Sequence, residues 1–532
     1  MRSRARTKVE RSARRVWIWR RHHFKHPGTE RAFEMTRLLS GVLLASAALA
    51  LVGGASAAKP TGSSQFTDFT LAATPPNPAR TVCPGSTLCY NGAAEPAIAV
   101  APNGRFYASS ENGLGGGTLA WTSADGGGHY ASTPSPNDVS VGSDSVGQET
   151  GLEPGGGDTD VAVATVQNAL GNYNAYVVSL TLANVDVSSS TDYGATWRLN
   201  PATALPIDDR PWVAATGASK VCISYLTAPG ILLPNVGLHV QCSSDAGQTF
   251  PQLANAYDTS DVGLAASQGG SRTGNLVFDP SNPSYLYTVF AYENIEDAPN
   301  PSAFLHNVGM AVSSDGGLTW HDYAVHVNPD IGAKYDNQFV NVAVDSGGAV
   351  YVAYSDNHGV FYQYSTDHGQ TFSAPVQVSQ GNDTAVMPWL AAGDAGKIDL
   401  VYYQATGYSG NPEQAPASVA WKVVMAQSLS AASSAPGFVY TTVNPVVHHG
   451  GVCEGGALCT GNRDLYDDFG VEASPKSGFA SIVYSDDQYQ SDPNHKPNPV
   501  YGCVPADNDT STCDHTNVAT QTSGTGIYSK KK

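Results

Sequence analysis

From residue 95 onward, apolar and polar positions follow one recurring arrangement. In "EPAIAVAPNGRFYASS" (95–110) a short apolar run leads through a Pro-Asn-Gly turn into a second apolar run. The arrangement returns in "DTDVAVATVQN" (158–168), "DDRPWVAATGASKVCISYL" (208–226), "TGNLVFDPSNPSYLYTVFAY" (273–292), "DNQFVNVAVDSGGAVYVAYSD" (336–356), "MPWLAAGDAGKIDLVYYQ" (387–404) and "DDFGVEASPKSGFASIVYSDD" (467–487). Short apolar runs bounded by Gly, Asn, Asp or Pro read as strands, and two runs flanking a short turn read as a strand pair. Seven pairs in succession predict a repeating all-β architecture.

A second element recurs between the pairs. Ser123–Tyr130, Ser190–Trp197, Ser243–Phe250, Ser313–Trp320 and Ser365–Phe372 share the pattern Ser-x-Asp-x-Gly-x-x-aromatic, at intervals of 52 to 70 residues. Each residue type suits a tight hairpin. Ser and Asp side chains bond turn N–H groups, Gly adopts positive φ, and the ring folds back onto the apolar layer. Asp125, Asp192, Asp245, Asp315 and Asp367 are therefore read as structural turn-formers.

The pattern resembles the Asp-box, or bacterial neuraminidase (BNR) repeat, of the sialidase-like β-propellers, over most of residues 95–530. That resemblance implies an all-β propeller of four-stranded antiparallel blades. The onset count favours seven blades; six is the alternative, because sialidase propellers generally have six. The sixth blade reaches a worn box near "VVMAQSLS" (423–430), and the seventh is expected to end in "GIYSK" (526–530). The alternating segment "QFTDFTLAAT" (65–74) is expected to supply the outer strand of the last blade, which closes the ring and removes a sheet edge.

Composition supports this reading: 14 % charged residues, 55 Gly and 33 Pro suit many short strands joined by turns. Residues 1–58 stand apart as a basic leader followed by an apolar run, "LLSGVLLASAALALVGG", and the small-residue site Ala55-Ser-Ala57, the plan of a cleaved secretory signal peptide, with an uncleaved membrane anchor as the alternative. Residues 59–94 form a linker with the closing strand and a Cys83/Cys89 hairpin, and 95–532 the propeller. The leader holds 12 of the 28 Lys+Arg and 3 of the 46 Asp+Glu, so the remainder carries 16 basic and 43 acidic groups, a net charge of −27. Such a surface repels nucleic acid and anionic membranes. It is compatible with neutral glycans, cationic partners or Ca²⁺. The expected location is secreted, extracellular or periplasmic, with no stable membrane insertion after cleavage. All eight cysteines lie in the exported part, in four local pairs: Cys83/Cys89, Cys222/Cys242, Cys453/Cys459 and Cys503/Cys513. An even count in an exported chain favours disulfides, and the CxxC-type spacing near a second pair that zinc would want is not present.

Chemistry in a propeller is expected at the axial mouth, where the inner strands begin. The onset residues there are Glu95, Asp158, Asp160, Asp208, Asp209, Arg210, Arg272, Asp336, Asn337, Trp389, Arg463, Asp464, Tyr466, Asp467 and Asp468. The resemblance implies three arginines gripping a substrate carboxylate, a Tyr nucleophile activated by a Glu, and an Asp acid/base. Arg210, Arg272, Arg463, Tyr466 and Asp209 are the candidates for that machinery, and Glu95, Asp160, Asp336, Trp389 and Asp468 for ligand contacts. The sequence departs from the family at its first inner strand, where an aromatic-Arg-Ile-Pro motif is replaced by Glu95-Pro-Ala-Ile98. The alternative for the arginines is local ion pairing: Arg210 with Asp208 or Asp209, and Arg463 with Asp464 or Asp467. The reading that follows is an exported propeller binding a glycan or an extracellular protein at its axial cleft. The alternatives are an exo-α-sialidase or related glycoside hydrolase, and a lyase or hydrolase of another polysaccharide.

Overall fold

The structure is a computed structural model that describes residues 63–73, 89–90, 95–112, 116–137, 155–181, 184–200, 208–227, 237–257, 272–294, 296–297, 300, 304–335, 339–453, 465, 467–487 and 515–529. The chain divides into two compact units, Met1–Ala55 and Ser56–Lys532, and only the second contains described residues. The leader and its cleavage site therefore lie outside the described residues. No described helix is long and apolar enough to cross a membrane.

Seven four-stranded antiparallel sheets make up the unit. Their innermost strands are Ala97–Val100 (blade 1), Thr159–Val163 (blade 2), Asp208–Thr216 (blade 3), Arg272–Phe278 (blade 4), Asn341–Val344 (blade 5), Ala385–Ala392 (blade 6) and Gly470–Ala473 (blade 7). Each inner strand packs beside the next, and blade 7 packs back on blade 1, so the sheets form a closed β-propeller. All seven expected onsets are inner strands.

Buried apolar side chains gather into seven clusters, each shared by two adjacent blades. Ala162, Tyr176 and Val187 of blade 2, for example, meet Val213, Val221 and Tyr225 of blade 3. Because both faces of a blade are covered, its middle strands are buried throughout and read as near-continuous apolar runs: every residue of Leu286–Tyr292 and Asn307–Ser313 is buried.

Closure uses Gln65–Thr70, which pairs antiparallel with His515–Ser523 as the outer strand of blade 7. The closing segment is shorter than expected, since Ala72–Ala73 leaves the blade to pair with Cys89–Tyr90. The expected last strand in 526–530 is also corrected: His515–Ser523 occupies that place, held between Ala480–Asp486 and the N-terminal strand. Residues 524–529 instead turn across the end of the ring opposite the onsets. Ile527 N–H donates to Gly478 O at 2.9 Å, and Asp394 N–H to Ile527 O at 3.0 Å. Buried polar groups lock the closure. Asp68 accepts from the Tyr484 hydroxyl and from Asn444 Nδ2, and Asn444 Nδ2 also lies 3.1 Å from Asp486 Oδ2.

The five Ser-x-Asp-x-Gly segments form the same turn. The Ser hydroxyl accepts the Gly N–H at 2.8 to 2.9 Å and donates to the Asp carboxylate. The same carboxylate accepts the backbone N–H four residues on, from His129, Thr196, Thr249, Thr319 or Thr371. Each aromatic ring packs against the preceding blade: Trp197 joins the cluster between blades 1 and 2, and Trp320 the one between blades 3 and 4.

Cys222 and Cys242 sit opposite each other on neighbouring strands and form a disulfide. Cys453 is also disulfide-bonded. Its expected partner Cys459, and Cys83, Cys503 and Cys513, lie outside the described residues, as does the side chain of Cys89.

Candidate functional site at the axial mouth

Blade 3 begins Asp208-Asp209-Arg210-Pro211-Trp212. Its ladder passes from Asp209 opposite Leu226 to Trp212 opposite Ser224, so one extra residue bulges out. Pro211 has no N–H to give to the ladder, and Arg210 takes φ 54°, a left-handed value that costs a side-chain-bearing residue about 1 to 3 kcal/mol. Met387 before Pro388 repeats the device in blade 6 with φ 52° and the same one-residue slip, and Glu95 before Pro96 has φ 53°. Bulges of this kind re-aim a side chain, and at Arg210 the result is a guanidinium buried among acids of other blades.

Its Nε lies 3.2 Å from Asp158 Oδ2 of blade 2, and its Nη1 lies 3.2 Å from Asp468 Oδ2 ahead of blade 7. Its Nη2 contacts Asp467 Oδ2 and lies 3.7 Å from Glu95 Oε1 of blade 1. The Phe339 ring lies under the guanidinium with its centroid 4.2 Å from Cζ. Arg210 is 7 % exposed and Glu95 0 %, so four carboxylates and one cation share a space with little water. Burial works against the charge of Arg210, but the four acids outweigh it and hold the guanidinium firmly protonated. Burial, then repulsion from Glu111, pushes the Glu95 carboxyl well above the usual range. Burial, only partly offset by Arg210, lifts Asp468 to about 8. One oxygen each of Glu95, Glu111 and Asp158 also lie within 4.8 Å of one another, a spacing that a hard cation could bridge.

The local ion pairs expected for Arg210 are not the ones it makes. Asp209 accepts the backbone N–H of Arg210 at 3.0 Å. Asp208 keeps both oxygens buried, and burial, then the neighbouring Asp209, outweighs the pull of its own backbone N–H and raises it to about 7. Asp160 is an inter-blade tie: its carboxylate accepts Val161 N–H at 2.8 Å and Val213 N–H at 2.9 Å. Asn275 and Asn341 make the equivalent ties from blade 4 to Val342 and from blade 5 to Leu390. Trp389 is partly exposed; it packs 5.5 Å from Trp212, whose ring lies 5.3 Å from Phe339. An aromatic line thus runs from the guanidinium toward the axis.

Of the three candidate arginines only Arg210 has a described side chain. Arg272 begins the inner strand of blade 4, its side chain lying outside the described residues, as do Arg463, Tyr466, Asp336, Asn337 and Asp464. Sequence reasoning missed Glu111 and Phe339. Glu111 follows the second strand of blade 1 directly, Phe339 stands two residues before the inner strand of blade 5, and both places fall at the mouth once the ring is drawn.

Below the mouth the inner strands enclose an axial cavity of about 280 Å³. It is lined by the later residues of all seven, among them Asp160, Val213–Thr216, Trp389 and Glu472, and by Tyr528 of the C-terminal segment.

No family model matches the sequence, and no curated protein matches it. Among solved structures, a protein of unknown function from Dyadobacter fermentans aligns at 13 % identity over 86 % of this chain and 97 % of its own, with a TM-score of 0.43. The α-L-arabinofuranosidase Arb93A of Fusarium graminearum aligns at 16 % identity over 65 % of this chain and 93 % of its own, with a TM-score of 0.42. The Hadza microbial sialidase Hz136 aligns at 13 % identity over 59 % of this chain and 64 % of its own, with a TM-score of 0.37.

Proposed function

We propose that this chain is an exported, sialidase-like Asp-box propeller that binds neutral glycan chains at its axial mouth. The observation that carries the reading is the saturation of Arg210. Its N–H groups face four carboxylates, leaving no free fork for a substrate carboxylate of the kind a sialidase grips. The mouth instead offers carboxylate acceptors, which suit sugar hydroxyls, and the axial cavity that continues from it offers the partly exposed Trp389, whose ring face suits the apolar face of a sugar. The acidic chain, the signal-like leader and the even cysteine count support export.

A second reading, a glycoside hydrolase acting on a non-sialylated chain, is favoured by one observation. Burial raises the carboxyls of Glu95 and Asp468, which share the Arg210 guanidinium with Asp158 and Asp467, and a raised carboxyl set among other acids is the arrangement an acid catalyst uses.

A glycan array probed with the full exported chain tests both readings. Neutral oligosaccharides are expected to bind and sialylated ones not. Trp389→Ala is expected to weaken binding about tenfold, the loss of one stacking contact of about 1.4 kcal/mol. Sialoside binding or turnover would reverse the preference. Silence across all glycans would move the search to protein ligands, and release of reducing ends from a bound neutral chain would establish the hydrolase.

A further inference from the structure

The connection from blade 6 to blade 7 carries Asp467 and Asp468 to the mouth, and it starts beside a buried histidine. His448 is the penultimate residue of Phe438–His449, the outer strand of blade 6. Strand directions alternate within a blade, so the fourth strand ends on the side where the first begins, which is the mouth side. The second strand of blade 7, Ala480–Asp486, also ends there, and Asp487 follows it. His448 is 0 % exposed and Asp487 4 %, so whatever protons this pair holds are held away from water.

The ring joins the two ends. Nδ1 lies 2.7 Å from Asp487 Oδ2, and Nε2 lies 3.2 Å from Gly451 O. A carbonyl oxygen only accepts, so Nε2 carries a hydrogen, and the short contact at Nδ1 needs a second one. Neutral imidazole holds one. Both contacts are satisfied together only as an imidazolium facing a carboxylate. Backbone bonds build the same corner: Asp487 N–H donates to Val447 O, Gly450 N–H to Val419 O and Val452 N–H to Pro412 O, each at 3.0 Å. Trp421, opposite His448 on the neighbouring strand, donates its Nε1–H to Gly450 O at 2.8 Å. The other titratable groups on the packed elements are Lys422, Tyr403 and His449 of blade 6, Glu413 of the turn Pro412–Gln414, and Asp68, Tyr484, Asp486 and His515 of blade 7. Of these, Asp68 and Asp486 are engaged by Asn444.

We propose that His448 is a proton-controlled clamp on the mouth side of the ring, which as an imidazolium ties the start of the blade 6 to blade 7 connection at Gly451 to the strand end at Asp487. Once the ring loses a proton, one buried acceptor faces a nitrogen lone pair, and that tie breaks. The clamp is complete below the midpoint of an unfolded histidine, about pH 6.5, and is lost as pH rises through the folded one. With the tie at Gly451 gone, residues 450–453 no longer fix the start of the segment that delivers Asp467 and Asp468 to Arg210. The clamp acts in this way whatever the mouth binds.

The test is histidine NMR of the full chain labelled with carbon-13 at Cε1, with amide hydrogen exchange read at Gly450 and Val452. The His448 signal, assigned by its absence in His448→Gln, is expected to keep its imidazolium position at about pH 8, where an unperturbed histidine is almost wholly neutral. Exchange at Gly450 and Val452, corrected for base catalysis, should rise about tenfold as that signal titrates, and should be fast at every pH in His448→Gln. If His448→Gln does not fold, Asp487→Asn identifies the signal by lowering its midpoint by about one pH unit, the effect of losing a facing carboxylate. A neutral ring at pH 8, exchange that does not follow the titration, or histidine midpoints all unchanged in Asp487→Asn would each overturn the proposal.

Discussion

At the scale of single residues, Arg210 decides the character of the mouth. Its left-handed backbone, the proline after it and the one-residue bulge all deliver one guanidinium to acids of blades 1, 2 and 7. Replacing it with an apolar residue of similar length leaves those carboxylates buried without their cation. Arg210→Met is therefore expected to cost about 3 to 5 kcal/mol of stability, the usual loss when one partner of a buried ion pair is removed. Urea unfolding at two pH values checks the cause. Glu95 and Asp468 take up protons in the native state as pH falls, so the loss should be larger near pH 8 than near pH 5. An equal loss at both would mean that Arg210 acts mainly through its contact with Phe339. The local sequence pointed to Asp208 and Asp209 as its partners because they are adjacent in the chain. The real partners come from blades far away in sequence, and only the closed ring brings them within reach.

At the scale of elements, the Ser-x-Asp-x-Gly turn is a joint between blades as well as a hairpin. Two of its glycines separate the two roles. Gly247 has φ 78°, and a Cβ there would meet only ordinary contacts of 3.7 Å or more, whereas Gly127 has φ 96° and a Cβ would lie 2.7 Å from Thr520 Oγ1 of blade 7. Gly247→Ala should cost about 1 kcal/mol, the strain of a side chain in a left-handed turn. Gly127→Ala should cost more, because Thr520, which donates to Gly127 O at 2.8 Å, must also move. Thermal melts of the two variants compare the roles, and equal losses would mean that the joint contributes nothing beyond the turn. This element was fully legible in the sequence, since every bond in it is local. The blade count and ring closure were legible too, through the spacing of apolar pairs and the stray strand at 65–70. Two of the inner-strand bulges were visible only as Arg210-Pro211 and Met387-Pro388, and the one between Thr273 and Leu276 carries no proline at all. The cavity was not visible, because period-two patterning says which side of a strand is buried and not what its buried acids face.

At the scale of the whole molecule, two classes of acid pull stability in opposite directions with pH. Burial raises Asp160, Asp208 and Asp399 to about 7 and, with weaker charge effects, Asp468 and Glu472 to about 8. Native proteins hold those protons where unfolded chains release them, near pH 4. The stability they contribute is fully present below that value and lost as pH rises through 7 and 8. In the turns, hydrogen bonds from Ser243 bring Asp245 to about 2, and those from His129 and Ser365 overcome burial to bring Asp125 and Asp367 to about 2 as well. Their contribution is present above the unfolded value and lost as pH falls through 2. Melting temperature should therefore peak in the acidic range between roughly pH 4 and 7, and a midpoint still climbing at pH 9 would contradict this balance. Ring closure also sets a clock. Gln65 meets Ser523 across a sequence separation of 458 residues, so at synthesis rates of 5 to 20 residues per second the first of the described strands waits about 20 to 90 s for its partner. Throughout that interval a strand built to pair has nothing of its own chain to pair with, and whatever keeps it single during those seconds is as much a condition for this fold as the seven apolar cores.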